Sequence, residues 1–235
     1  MKFAITISTY YRRDGRSSFF LKRALESISN QTYQDYKIFL IGDRYENNEE
    51  FNEICESFKH PEKIYYKNLD VAEERDKYDN KLLIWKYGGV NSYNTAIEKS
   101  IEEGFKYICH LDHDDYWENN HLEVIKKAFE VTECSWLCTY ATYREGGLPV
   151  IDCNEDYCQY YPKEGNVTHS SVCVNFDKVP IKYSKYDNQD PNVCKPADAI
   201  MWENVTNHCM ENNLKCIFVN SLTCHTEPDG YFLNQ

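Results

Sequence analysis

The sequence predicts an α/β fold: a single domain over residues 1–235, with a mostly parallel, Rossmann-like sheet flanked by helices in its first half and α+β material joined to the same sheet in its second. Three observations carry that expectation. Short apolar runs alternate with amphipathic ones as far as about residue 117, the pattern of repeated strand-helix-strand units. An acidic cluster, Asp112-His113-Asp114-Asp115, follows an apolar run directly. From about Thr142 the pattern breaks into shorter β-like runs and turns.

Taken in order, Phe3 to Ser8 reads as a strand, Phe20 to Ile28 as a helix with apolar spacing, and Tyr36 to Ile41 as a second strand. Phe51 to Phe58 is helical and Ile64 to Tyr66 a short strand. Residues 67–88 are charged and weakly periodic, so they read as a loop ending at Gly88-Gly89. Asn91 or Ser92 is suited to cap a helix reaching about Glu103, which Gly104 closes. Tyr107 to Leu111 is the strand that leads into the acidic cluster. Beyond it come a helix from Asn120 to Val131, a strand from Ser135 to Tyr140, β-like material from Val167 to Phe176, a helix from Asp198 to Asn212 and a strand from Cys216 to Val219.

Composition bounds the function classes. Hydrophobic residues make up 42% and aromatics 15%, which excludes disorder, and no window has the apolar length of a membrane span. Lys and Arg number 26 against 38 Asp and Glu, a net charge of -12, which argues against nucleic acid or an anionic membrane as partner. An acidic protein handling a phosphorylated ligand needs local positive charge, and a divalent cation is the usual supply. The eleven cysteines are odd in number and hold no CxxC pair, so they read as reduced thiols. Phe3-Ala4-Ile5-Thr6-Ile7 reads as a strand and not as a signal peptide, which places the protein in the cytosol and makes the sequons at Asn30, Asn166 and Asn204 coincidental.

Open α/β sheets bind ligands outside the carboxyl ends of their strands, where the acidic cluster lies. Three carboxylates within four residues repel one another unless a cation intervenes, and Mg²⁺ or Mn²⁺ prefers such oxygen ligands together with phosphate. The bland alternative is a solvated acidic turn ahead of the helix at Asn120. His113 reads as a flanking surface histidine.

The run Gly89-Val90-Asn91-Ser92-Tyr93-Asn94, then Tyr107-Ile108 and Leu111-Asp112-His113-Asp114-Asp115, resembles the donor half of family 2 glycosyltransferases of the GT-A fold. Ser8-Thr9-Tyr10-Tyr11-Arg12 is similar to the family's first loop, with Tyr11 in place of the usual Asn, and Ile41-Gly42-Asp43 to its second-strand acidic motif with one acid missing. The resemblance implies metal-dependent, inverting transfer of a sugar from a nucleotide-diphosphate donor to a glycan, protein or small-molecule acceptor. It makes residues 1–117 a donor half and 118–235 an acceptor half. By it, Thr9, Tyr10, Arg12, Asp43, Asn94, Asp112 and Asp115 contact the nucleotide or donor sugar, and Asp114 binds Mn²⁺ or Mg²⁺. The chemistry of Tyr10 and Asp43 suits uracil without excluding guanine. Pro196-Ala197-Asp198 resembles the start of the acceptor helix, which makes Asp198 the catalytic base, an N-cap, or both. Thr223-Cys224-His225 resembles the family's late histidine, a further metal ligand, and His169 and Ser170 fall where the acceptor pocket is expected.

Other readings compete. A sugar nucleotidylyltransferase should open with a Gly-rich phosphate loop, which Thr9-Tyr10-Tyr11-Arg12 is not. A non-catalytic nucleotide-sugar or carbohydrate-binding module would bind without turnover, and a metal-dependent hydrolase would release free sugar.

Overall fold

The computed structural model describes residues 1–185, 190 and 192–227. Strand β1 (Phe3–Thr9) is buried along its whole length and lies between β2 (Tyr36–Gly42) and β4 (Tyr107–His110), parallel to both, with β3 (Ile64–Asn68) parallel beyond β2. Its side chains alternate between two cores. Phe3, Ile5 and Ile7 pack on one face against helix α1 (Ser17–Ser29), α2 (Asn48–Glu56) and α6 (His121–Thr132). Ala4, with Phe39 and Ile41 of β2, packs on the other against α5 (Val90–Glu102) and α7 (Ala197–Glu211). Helix α1 meets its core through Phe20, Leu21, Ala24, Leu25 and Ile28, the 3.6-residue stripe that the sequence displays.

The parallel order stops at β4. Next to it, β9 (Val172–Asn175) runs antiparallel, then β6 (Trp136–Tyr143) antiparallel to β9, and β10 (Cys216–His225) parallel to β6. The short strands β5 (Tyr116–Trp117), β7 (Gly146–Leu148) and β8 (Tyr157–Gln159) pair with β10, β6 and β10 respectively. One mixed ten-stranded sheet therefore crosses both halves of the chain.

Four local expectations are corrected. Residues 67–88 are not one loop: they hold helices α3 (Glu73–Lys77) and α4 (Lys81–Tyr87), the second capped by Asn80, whose Oδ1 accepts from Leu82 and Leu83 N–H. Exposed charges hide the period there, since only Leu83 and Tyr87, four residues apart, face the core. Helix α5 is capped neither by Asn91 nor by Ser92 but starts at Gly89, in the left-handed region at φ 85°. Only glycine suits that residue, because a Cβ there would also lie 3.2 Å from Ser8 Oγ. Strand β10 runs six residues past Val219, with register shifts that carry it to His225. Nine cysteines are free and buried, as expected, but Cys153 and Cys158 form a disulfide beside β8. Among the described residues, no helix is long and apolar enough to cross a membrane.

Candidate active site

The carboxyl ends of β1, β2 and β4 open onto one cleft of about 420 Å³, within the usual range of small-molecule sites. At one end stand Tyr10, Tyr11, Asp43 and Arg75. Asp43 is buried, and its Oδ2 accepts from Arg75 Nε at 2.8 Å while its Oδ1 has no hydrogen-bond partner among the described residues. Burial pushes the Asp43 carboxyl above the ordinary range against the pull of Arg75. The Arg75 guanidinium also lies 5.0 Å from the centre of the Tyr10 ring, and His113 meets that ring edge-on at 5.2 Å. His113 is thus a buried wall of the cleft and not a surface residue.

The acidic cluster divides by partner. Asp112 Oδ1 accepts from His169 Nδ1 at 2.9 Å and from the Tyr93 hydroxyl. Burial acts to raise the Asp112 carboxyl, but the His169 charge and the bonds from His169 and Tyr93 outweigh it and hold the group at about 2. Asp114 pairs with Arg12 through Oδ2 at 3.1 Å. Asp115 is buried, taking Ser170 Oγ at 2.5 Å and Glu227 N at 3.1 Å, and burial with the charges of Asp112 and Asp114 pushes it well above the carboxylate range.

His169 is the hinge of the far end. Its Nε2 meets the Tyr183 hydroxyl, its ring stacks on His110 at 4.4 Å, and Tyr93 stacks on Tyr183 at 5.3 Å. Asp198 lines the same end. It sits within the first turn of α7, where its Oδ1 accepts from Ala199 N, while Pro196 occupies the cap position. Burial raises the Asp198 carboxyl against that backbone bond.

Of the residues expected at the site, Tyr10, Asp43, Asp112, Asp114, His169 and Asp198 line the cleft. Thr9 does not: it is buried at the end of β1 and its carbonyl anchors Asp43 N at 2.7 Å. Arg12 lies behind the wall, tied to Asp14 and Asp114. Asn94 brackets the backbone of Tyr183, with its amide bonding the carbonyl and its Oδ1 the N–H, each at 2.9 Å. Ser170 is buried and bridges Asp112 N to Asp115 Oδ2. His225 is off the cleft, with Nε2 on Glu118 at 2.7 Å and its ring stacked on Tyr116. Sequence reasoning missed Arg75, Tyr93 and Tyr183. Tyr93 precedes Asn94 in the first turn of α5, which Gly89 points into the cleft, and that was its legible signal. Tyr183 had none, because Asn94 reaches it from 89 residues away.

A divalent cation fits the acidic corner in one respect. Among the described residues, Asp112 Oδ2 and Asp114 Oδ1 carry no hydrogen bond, and two carboxylate oxygens with a diphosphate make a natural set for Mg²⁺ or Mn²⁺. No three His, Cys, Asp or Glu side chains among those residues converge as a metal group.

The glycosyl transferase family 2 model matches residues 5–151, and the chain belongs to that family. It is 34% identical over 243 residues to an uncharacterized glycosyltransferase, R139, of Acanthamoeba polyphaga mimivirus, a match covering 100% of this chain and 97% of that one. The fold is shared with S. aureus TarS 1-349 in complex with UDP-GlcNAc, at a TM-score of 0.70 and 13% identity over 98% of this chain and 60% of that one. It is shared also with the mannosyltransferase PcManGT of Pyrobaculum calidifontis in complex with GDP-Man and Mn²⁺, at 0.57 and 11% over 98% and 58%. The chain thus spans about 60% of the length of those structural neighbours.

Proposed function

We propose that the enzyme transfers a sugar from a UDP-sugar to an acceptor hydroxyl with inversion, using Asp198 as the base. The observation that carries this reading is the cleft itself: an unbonded Asp43 oxygen at one end, two open aspartate oxygens in the middle and Asp198 at the other. Asp43 Oδ1 is suited to accept the imino N–H of uracil, and Tyr10, Tyr11 and Arg75 enclose the base. TarS, whose structure contains UDP-GlcNAc, supports the choice of uracil over guanine, while PcManGT with GDP-Man is the precedent for the other base. Asp112 Oδ2 and Asp114 Oδ1 would hold Mn²⁺ or Mg²⁺, which when bound offsets the charge of the departing diphosphate. His225 could join them only by leaving Glu118.

The acceptor oxygen attacks the anomeric carbon, its proton passes to Asp198, and the bond to the diphosphate breaks with its electron pair going to the leaving group. Attack opposite the leaving group inverts the centre. Asp115 and Ser170 support the floor, and Asn94 and Arg12 hold Tyr183 and Asp114.

The test is a thermal-shift screen of UDP, UDP-sugars and GDP-mannose with Mn²⁺ or Mg²⁺, followed by turnover. A UDP-sugar at a hundredfold excess over its Kd should stabilise the fold by about 2.7 kcal/mol. The Asp198→Asn variant should keep that stabilisation while transfer falls by about 10²–10⁴. If the wild type binds donor without turnover, the chain is a binding module, and if no nucleotide sugar binds, the donor reading fails.

A further inference from the structure

We propose that Arg12 weakens the cleft's grip on a divalent cation by holding one oxygen of Asp114, so that the cation leaves with the nucleoside diphosphate after each transfer. The inference rests on the metal-assisted reading above. Arg12 is fixed behind the acidic turn by its own loop. Its N–H bonds Ser17 Oγ at 2.6 Å, its carbonyl accepts from Gly15 N at 3.0 Å, and its guanidinium lies 5.2 Å from the centre of the Phe20 ring. The turn itself splays its acids: Asp115 N bonds the Asp112 carbonyl at 3.0 Å, which leaves Asp112 facing His169 and Asp114 facing Arg12.

One guanidinium serves two carboxylates. Nη1 donates to Asp114 Oδ2 at 3.1 Å and Nη2 to Asp14 Oδ2 at 3.0 Å, with Nε also directed at Asp14. The Arg12 side chain is 6% exposed and that of Asp114 15%, so salt and water screen this pair little. The backbone of Asp114 has a separate anchor, because Arg23 Nη2 bonds its carbonyl. Arg12 therefore acts on the carboxylate alone, filling Oδ2, leaving Oδ1 open and offsetting part of the charge with a cation that does not titrate.

The affinity of an oxygen site for Mg²⁺ or Mn²⁺ follows the number and charge of its ligands. An aspartate shared with an arginine is a weaker ligand than a free one, and Asp112 is shared in the same way with His169. The oxygens of a diphosphate complete such a set, and once they depart the two acids keep partners of their own. An arginine that served to brace Asp114 would strengthen the hold on the cation, whereas a competitor weakens it. The two roles differ in sign.

The experiment titrates Mn²⁺ into the whole chain, alone and with UDP, and reads bound metal from its paramagnetic resonance signal. Arg12→Met keeps the bulk over Phe20 without the charge and should tighten Mn²⁺ by about tenfold, the worth of one charge-assisted hydrogen bond. Asp14→Asn leaves more of the Arg12 charge to Asp114 and should weaken Mn²⁺ by about threefold. UDP with Mn²⁺ should also inhibit transfer more strongly in R12M than in the wild type, because product release is slowed. The proposal is overturned if R12M binds Mn²⁺ no tighter than the wild type or if D14N binds it no more weakly. Should R12M fail to fold, the sign of the D14N change decides. A wild-type chain that binds no Mn²⁺ even with UDP sinks the metal-assisted reading and this inference with it, a different result from bound Mn²⁺ whose affinity ignores Arg12.

Discussion

Asp112 on the cleft and the fully buried His121 both feel the loss of water, yet their charges go opposite ways because only one has a partner of opposite sign. Asp112 stays ionised beside His169 and Tyr93. His121 lies under Trp117 at 4.1 Å with Nδ1 on Thr223 Oγ1, and burial pushes it down to about 3, with the Thr223 bond opposing. A histidine so depressed is neutral in the fold while the unfolded chain takes up a proton below about pH 6.5. Between about pH 3 and 6.5 the unfolded state therefore holds more protons, and stability is lost on acidification at about 1.4 kcal/mol per pH unit from this group. His121→Phe, which keeps a ring over Trp117, should flatten that acid limb by about one proton. Urea unfolding at pH 4 to 7 reads the slope, and an unchanged slope would show that His121 is protonated in the fold. At this scale the acids were legible, since Asp112 and Asp114 follow an apolar run that has to be a strand. Their neighbours were not: which of Thr9, His113 and Ser170 reaches the cleft depends on bonds to residues far along the chain.

Helix α5 shows what an element does for the site without touching substrate. Its Asn94 supplies both bonds that hold the backbone of Tyr183, inside protein where water cannot replace them. Asn94→Ala leaves that N–H and carbonyl unpaired and should cost about 2–3 kcal/mol in denaturant unfolding. The loss should appear together with weaker donor-dependent activity, because Tyr183 braces His169. A stable Asn94→Ala protein would place the Tyr183 segment under other control. Helices with a full apolar stripe, α1 and α6, were readable from period alone. The five- and seven-residue helices α3 and α4 were not, since such lengths show one turn of pattern at most.

For the whole molecule, the net charge of -12 points to a divalent cation as the usual supply of local positive charge. The cleft qualifies that, because Arg13, Arg44, Arg75, Lys81 and Lys86 line it. Two cores sandwich the sheet, moreover, and Asp112 and Asp114 already have His169 and Arg12. Chelation by EDTA should thus move the melting temperature by less than about 2 °C, below the effect of 1 kcal/mol at this size, while it weakens stabilisation by a UDP-sugar. A collapse of the free protein in EDTA would reveal a structural metal. The parallel half of the sheet was legible because strand and helix periods alternate there. The order of β9, β6 and β10 was not, because antiparallel neighbours brought together from distant segments leave no local trace.

Strand β9 enters the sheet against the direction of β4, and so delivers its leading residues, His169 to Ser171, to the edge where β4 delivers its trailing ones. The stretch between β8 and β9 thereby reaches Asp112 and Asp115 from outside the parallel strands, through His169 and Ser170, so a change there is felt in the acidic cluster without moving β1, β2 or β4.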